Sequence, residues 1–257
     1  MTLPVFRTDA PLSEIRPGQS LPITGQALHH AVTVRRMKAG EALELTDGAG
    51  LRVRGVLESA SKEAAVLTIH EVEHEQPPTP RLGLVQALAK GDRDLAAVET
   101  AVEVGVDVVV PWQAQRSIVQ WKGAKAAKAH DKWANLIRAA SLQSRRVNFP
   151  QLEQLSSTSF AAQKAREGAL VIVLHEAGTR PFVQTLRSEL SRRTVEEIYV
   201  VVGPEGGIAD AERQQMEEAG ALTAVLGPTV LRASSAGPIA LALAQQELGR
   251  WGSADNG

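Results

Sequence analysis

The sequence predicts an α/β protein in two parts: a small β-rich module, then a mostly parallel sheet covered by helices on both faces. Three observations predict it. Residues 1–75 show short alternating segments with little helical periodicity. Gln76-Pro77-Pro78-Thr79-Pro80 has the composition of a stiff linker. From Arg81 onward, strand-like and helix-like patterns alternate. The expected divisions are therefore 1–75, 81–250 and a disordered tail at 251–257.

In the first part, Gly25 to Met37 reads as a short helix carrying His29, His30, Arg35 and Arg36. Ala42 to Leu45 and Leu51 to Leu57 flank Asp47-Gly48, a hairpin signal. Ala64 to Val72 reads as another strand. In the second part, Leu82 to Ala89 is strand-like. Asp92 to Val104 is helical with Leu95, Val98 and Val102 on one face and Gly105 as the stop. Val106 to Val110 is a strand ended by Pro111. Lys125 to Arg146 is a long helix, with Trp133, Leu136, Ile137 and Ala140 at i, i+3, i+4, i+7. Thr158 to Arg166 is a helix, Ala169 to Leu174 a buried strand, and Arg180 to Leu190 a helix.

The stretch Ile198 to Leu248 organises the rest. Tyr199 to Val202 is an apolar, β-branched run that ends in Gly203-Pro204-Glu205-Gly206-Gly207. A helix follows to Ala219, stopped by Gly220. Leu222 to Leu226 is a strand broken by Gly227-Pro228. Then come Val230-Leu231-Arg232-Ala233-Ser234-Ser235 and a last helix, for which Ser234 and Ser235 read as N-caps with Pro238 in the first turn. Two glycine-rich loops thus leave the carboxyl ends of what read as adjacent strands, where open α/β sheets bind ligands. Arg232 reads as buried beside them.

Hydrophobic content of 44% and charged content of 22% describe an ordinary folded protein. No apolar run approaches the ~20 residues needed to span a bilayer, and MTLPVFRTDAPL carries no secretory signal. The absence of cysteine excludes disulfides and thiolate chemistry, and is compatible with the cytoplasm. Net charge is −1, yet Arg116 to Arg146 holds eight Lys/Arg against the single acid Asp131. That excess suits either a polyanion-facing surface or a solvated helix face.

Several motifs are missing. Neither G-x-x-x-x-G-K-[ST] nor G-x-G-x-x-G follows the first strand of the second part, where Ala89-Lys90-Gly91-Asp92 stands instead. No histidine spacing suggests a metal, and G-x-S-x-G is absent. His175 sits at a strand end facing the ligand edge, open to a structural or a functional role.

With these residues in view, the chain resembles the SPOUT class of RNA methyltransferases, and within it the ribosomal small-subunit RNA (uracil-N3)-methyltransferase family. The match rests on GPEGG at 203–207 together with Leu226-Gly227-x-x-Val230-Leu231-Arg232. It extends over His30 to Glu41, Lys90-Gly91-Asp92-Arg93, Glu103 to Val106 and Gln143-Ser144-x-Arg146 with Pro150. The resemblance implies an N-terminal PUA-like β-barrel and a C-terminal SPOUT domain, the trefoil-knotted α/β-knot fold. It implies an obligate homodimer that uses S-adenosyl-L-methionine to methylate a uridine at N3 in 16S rRNA, with no metal. The cofactor pocket it implies comprises Leu174, His175, Gly203, Pro204, Glu205, Gly206, Gly207, Leu226, Gly227 and Leu231. Where the family often has Thr-Glu-Thr-Ala after the arginine, this chain has Ala233-Ser234-Ser235-Ala236, so no carboxylate base is available there. Ala209 also replaces a common capping serine, leaving Asp210 as the alternative cap.

Methylation at a uracil N3 requires loss of its proton, and a fixed cation near the base oxygens would stabilise the resulting anion. Arg232 is the one basic residue of the two loops and the candidate catalytic group; the alternative is an ion pair with a partner such as Glu205. Arg35, Arg36, Lys38, Arg116, Arg145 and Arg146 are candidate RNA contacts. Alternatives of other classes are a SPOUT methyltransferase on another RNA, such as a tRNA ribose hydroxyl, and a non-catalytic RNA-binding factor on the same fold.

Overall fold

The computed structural model describes residues 2–251, so the expected tail lies, from 252 on, outside the described residues. The chain divides into two compact units, Met1–Pro77 with Ser141–Phe149, and Pro78–Ala140 with Pro150–Gly257. The excursion 141–149, which the sequence places inside the second part, thus groups with the first unit.

The first unit is a curled five-stranded sheet built from β1 (Val5–Arg7), β2 (Ser20–Ile23), β3 (Ala42–Thr46), β4 (Leu51–Ala60) and β5 (Ala65–His74), in the order β1-β3-β4-β5-β2. β3 and β4 form the hairpin around Asp47-Gly48, whose Asp47 carboxylate accepts from the Ala49 and Leu51 N–H groups. Register shifts at Arg54/Gly55 and Leu57/Ser59 bend β4. At Gly55 a Cβ would lie 2.2 Å from the Thr68 carbonyl, so only glycine permits that approach. The concave side buries Phe6, Leu21, Leu43, Leu45, Val53, Leu57, Leu67 and Ile69. β1 and β2 escape the sequence reading because three- and four-residue strands are too short to show a period. The expected helix at 25–37 is α1 (Gly25–Leu28) followed by a π-helical turn, His29–Val34. Val32, Thr33 and Val34 are β-branched and favour the α-helix poorly, and wide turns of this kind concentrate at functional segments.

The second unit is a six-stranded sheet, all parallel, in the order β11-β9-β10-β6-β7-β8. Its strands are β6 (Arg81–Ala87), β7 (Val108–Trp112), β8 (Gln151–Leu152), β9 (Leu170–Leu174), β10 (Glu197–Val202) and β11 (Leu222–Ala224). The helices are α2 (Arg93–Glu103), α3 (Ala124–Gln143), α4 (Thr158–Arg166), α5 (Phe182–Arg192), α6 (Asp210–Glu218) and α7 (Ala233–Glu247). Side chains alternate across the strands and divide the core. Leu82, Leu84, Val200 and Val202 meet α2, α3, α5 and α7, whereas Val85, Tyr199 and Val201 meet α4 and α6. Among the described residues no helix is long and apolar enough to cross a membrane.

Four expectations need correction. β7 runs through Pro111 instead of stopping there; beyond Val109 its partner β8 has ended, so proline's missing N–H costs little. β10 and β11 are not adjacent, because β9 lies between them. Arg232, not Ser234 or Ser235, is the N-cap of α7, which puts Pro238 in the second turn. Ala209 caps α6 rather than Asp210. With no acceptor on the alanine, only half a capping box forms: Glu212 accepts from the Ala209 N–H at 3.3 Å. Burial of α7 is largely met inside the chain. Ala236, Gly237, Ala240, Leu241 and Ala244 are covered, and a Cβ at Gly237 would lie 2.8 Å from Leu84.

Candidate functional site

The placement of β9 between β10 and β11 builds the site. Leu174 is in register with Val202 on one side and Ala224 on the other, so three strands finish on one row. Three loops therefore leave the sheet together: His175 onward, Gly203–Ala209, and Val225–Arg232. They surround a cavity of about 500 Å³ with an adjoining lobe of about 220 Å³, in the size range of small-ligand sites.

Gly203, Pro204, Glu205, Gly206 and Gly207 line the larger space, Leu226 and Gly227 the smaller, and Leu174, His175 and Leu231 both. A Cβ on Gly203 would lie 2.6 Å from Ile208, and Gly207 has φ +74°, so both positions need glycine. The Gly207 N–H donates to Pro204 O at 2.9 Å, while the Gly206 N–H meets no acceptor among the described residues.

His175 has a defined tautomer. Its Nδ1 accepts from the Ala177 N–H at 3.1 Å, so the neutral ring carries its proton on Nε2. The ring is a donor toward its surroundings and has no free acceptor nitrogen. Glu205 also is not free. One carboxylate oxygen accepts from Arg93 at 2.8 Å and from the Lys90 N–H at 3.1 Å. Burial pushes this carboxyl up, but its own backbone N–H, Arg93 and Lys90 outweigh that and hold it below the ordinary glutamate value.

Arg232 is exposed rather than buried, and among the described residues it makes no ion pair. Glu205, its expected alternative partner, is taken by Arg93. Arg232 lines the larger cavity and occupies the N-cap of α7, whose first turn contributes Ala233 and Ala236 to the wall. The positive end of that helix favours negative charge at the same place. The cavity carries three arginines, Arg93, Arg116 and Arg232, against Glu176 and Glu205.

Sequence reasoning missed Arg93 and the helix terminus. The available signal was an acidic residue in a glycine loop, which calls for a cation, but the partner lies 112 residues away. Three expected RNA contacts are otherwise engaged. Arg116 donates to the carbonyls of Gly206 at 3.2 Å and Ile208 at 3.5 Å. In the first unit, Arg145 bonds the buried Glu44 at 2.7 Å and the Leu3 carbonyl at 2.8 Å, and Arg146 bonds the Asn148 carbonyl at 3.1 Å. The basic stretch 116–146 is also divided between the two units. Arg35, Arg36 and Lys38 are exposed, with no side-chain partner among the described residues.

Comparison with known proteins decides what this architecture is. An RNA methyltransferase domain model matches residues 75–245, and an RNA methyltransferase PUA domain model matches residues 23–69. The chain belongs to the RNA methyltransferase family. Ribosomal RNA small subunit methyltransferase E of Mycobacterium bovis is 39% identical over 236 residues, covering 89% of this chain and 87% of that protein. The protein of the same name in Bacillus subtilis is 28% identical over 228 residues, covering 87% and 88%. The crystal structure of ribosomal RNA small subunit methyltransferase E from Neisseria gonorrhoeae, bound to S-adenosyl methionine, aligns with a TM-score of 0.81 at 26% identity. That alignment covers 96% of this chain and 98% of that one. Within the RNA methyltransferase family, this chain therefore groups with the small-subunit methyltransferases, with a PUA domain ahead of the methyltransferase domain.

Proposed function

We propose that the protein is an S-adenosylmethionine-dependent methyltransferase acting at N3 of a uridine in 16S rRNA. The observation that carries this is the cavity of three strand-end loops, where an arginine with no ion pair among the described residues stands beside a glycine-built backbone wall. The cavity fits the cofactor: it is large enough, two glycines are required in its wall, and the Gly206 N–H is an available donor.

The loops 203–207 and 226–227 would hold the cofactor, with Leu174 and Leu231 as apolar walls. When bound, the cofactor supplies a methyl activated on a sulfonium sulfur. The protein's own task is alignment, exclusion of water and stabilisation of charge. Arg232 and the α7 terminus face the cavity with positive charge and stabilise the uracil anion formed when N3 loses its proton. Neither His175, lacking an acceptor nitrogen, nor the doubly engaged Glu205 is suited to take that proton. Loss of the proton becomes easier as pH rises toward the ionisation of the base, so the reaction accelerates with pH.

In the same reading, residues 1–75 form the RNA-binding domain, contacting phosphates through Arg35, Arg36 and Lys38, and residues 81–250 form the catalytic domain with the trefoil knot of its class. Arg116, Arg145 and Arg146 are assigned to holding structure instead. The protein works in the cytoplasm as a homodimer without a metal. Val230, 88% exposed, and Ile239, 41% exposed, supply uncovered apolar surface near the site for a second copy. The test is calorimetric titration with S-adenosylmethionine, followed by mapping of N3-methyluridine in 16S rRNA from a strain lacking the gene, with and without the gene restored. Absence of cofactor binding, or an unchanged modification map, refutes the proposal.

A further inference from the structure

The glycine loop after β10 is gripped from two other strand ends. From the loop after β7, the Arg116 guanidinium donates to the carbonyls of Gly206 at 3.2 Å and Ile208 at 3.5 Å, spanning the left-handed Gly207. From the loop after β6 and the first residue of α2, the Lys90 N–H and Arg93 hold the Glu205 carboxylate. The two loops are in close contact: a Cβ on Gly206 would lie 3.2 Å from the Arg116 Cβ and 3.3 Å from its carbonyl oxygen.

A peptide unit is planar, with its C=O and the following N–H pointing in opposite directions. Fixing the Gly206 carbonyl therefore fixes the Gly207 N–H, which meets Pro204 O at 2.9 Å. Fixing the Ile208 carbonyl likewise fixes the Ala209 N–H, which meets Glu212 at 3.3 Å. A glycine-rich segment is otherwise the most conformationally free stretch a chain contains. Without these two grips, binding a ligand on the loop would cost the entropy of ordering it.

We propose that Arg116 is a positioning residue for cofactor binding: its Nη1, donating to both the Gly206 and the Ile208 carbonyls, preorganises the loop wall, and Arg93 does the same through Glu205. This rests on the functional reading above. Arg116 acts through the loop backbone and not by contact with RNA, although its charge and its place in a basic stretch suggest an RNA contact.

The experiment uses the full-length protein and measures S-adenosylmethionine affinity by calorimetry, rRNA-fragment affinity and melting temperature. Arg116→Gln is expected to weaken cofactor binding on the order of tenfold, the effect of losing a charged hydrogen bond, with RNA affinity unchanged. Arg116→Lys recovers part of the loss, because both bonds leave one nitrogen and an ammonium also carries donors for two carbonyls. Arg93→Gln, which loosens the same loop from its other side, also weakens cofactor binding. The double variant loses less than the two single effects combined, since a loop already released has less order left to lose. Unchanged cofactor affinity with weakened RNA binding would overturn the proposal in favour of an RNA contact. So would strictly additive losses. If Arg116→Gln fails to fold, Arg93→Gln with unchanged cofactor affinity overturns it independently. If the unaltered protein binds no S-adenosylmethionine, the functional reading falls and this proposal with it; if it binds and Arg116→Gln binds equally well, only the role of Arg116 falls.

Discussion

Arg232→Ala separates chemistry from folding. Arg232 is exposed and makes no ion pair among the described residues, so its truncation should leave unfolding free energy within about 0.5 kcal/mol. In the proposed mechanism the same side chain faces charge that appears only as the base ionises. Removing one preorganised donor of this kind costs on the order of 10²–10³ in rate, about 2.7–4 kcal/mol. The assay is a single-turnover methyl transfer on an rRNA fragment, followed against pH, with cofactor affinity and melting temperature measured in parallel. The expected result is a rate loss of that order with near-normal cofactor binding and melting. The rate should recover partly at higher pH, where more of the base is already ionised. Arg232→Lys should sit between the two proteins. A well-folded Arg232→Ala protein with normal turnover would refute the reasoning, as would a rate loss matched by an equal loss of cofactor affinity.

Other expectations concern stability and RNA. Tyr199 is the chain's one tyrosine, and burial, with the Glu197 carboxylate beside it, pushes its phenol up to about 12. The folded state thus favours the protonated phenol. Its stabilising contribution is complete below the unfolded value of about 10 and is lost as pH rises toward 12. Phenolate absorbance rising with a midpoint near 10 while the protein remains folded would contradict this. Glu212 accepts from Thr158 at 2.8 Å, from the Gln115 N–H at 2.9 Å and from the Ala209 N–H at 3.3 Å. Glu212→Ala leaves the buried Thr158 and Ala209 donors without an acceptor, at about 1–3 kcal/mol each. A loss of less than about 1 kcal/mol in urea unfolding would count against that accounting. Neutralising Arg35 and Arg36 together should weaken RNA binding and flatten its salt dependence by about two phosphate contacts while leaving cofactor affinity intact; an unchanged salt slope would remove them from the interface.

Much of the second unit is legible in the sequence because its strands are continuous apolar runs. Leu170–Leu174 and Glu197–Val202 are bounded by glycine or charge, and α4 spans Thr158–Arg166 as its periodicity indicates. Strand order is not legible. Nothing in Leu222–Ala224 tells whether it pairs with β9 or β10, and that choice decides that His175 stands between the two glycine loops. The residues lining the cavity can be named from local motifs, since glycine and strand ends mark it. Their partners cannot, because Arg93 and Glu205, or Arg116 and Gly206, meet only after the sheet assembles. Charge counting misled for the same reason. Arg116 and Arg145 add to a basic stretch on paper, yet carbonyls and the buried Glu44 occupy them in the fold.

The sheet order also governs how the molecule comes to exist. β6, near the start of its unit, pairs from Arg81 to Gln86 with β10, more than a hundred residues later, as in the register Arg81↔Glu197. Such non-local pairing has to close a long loop before any contact rewards it, which slows folding. The central strand pair can form only once most of the unit has been synthesised. α7, which covers β6 and β10 and ends the cavity wall with Arg232, is the last helix to emerge. During synthesis, then, the apolar face of Leu84 and Val200, which α2, α3 and α5 cover in part, is completed only when α7 has formed. Acquisition of cofactor binding should mark the completion of folding in this unit rather than any step along the way.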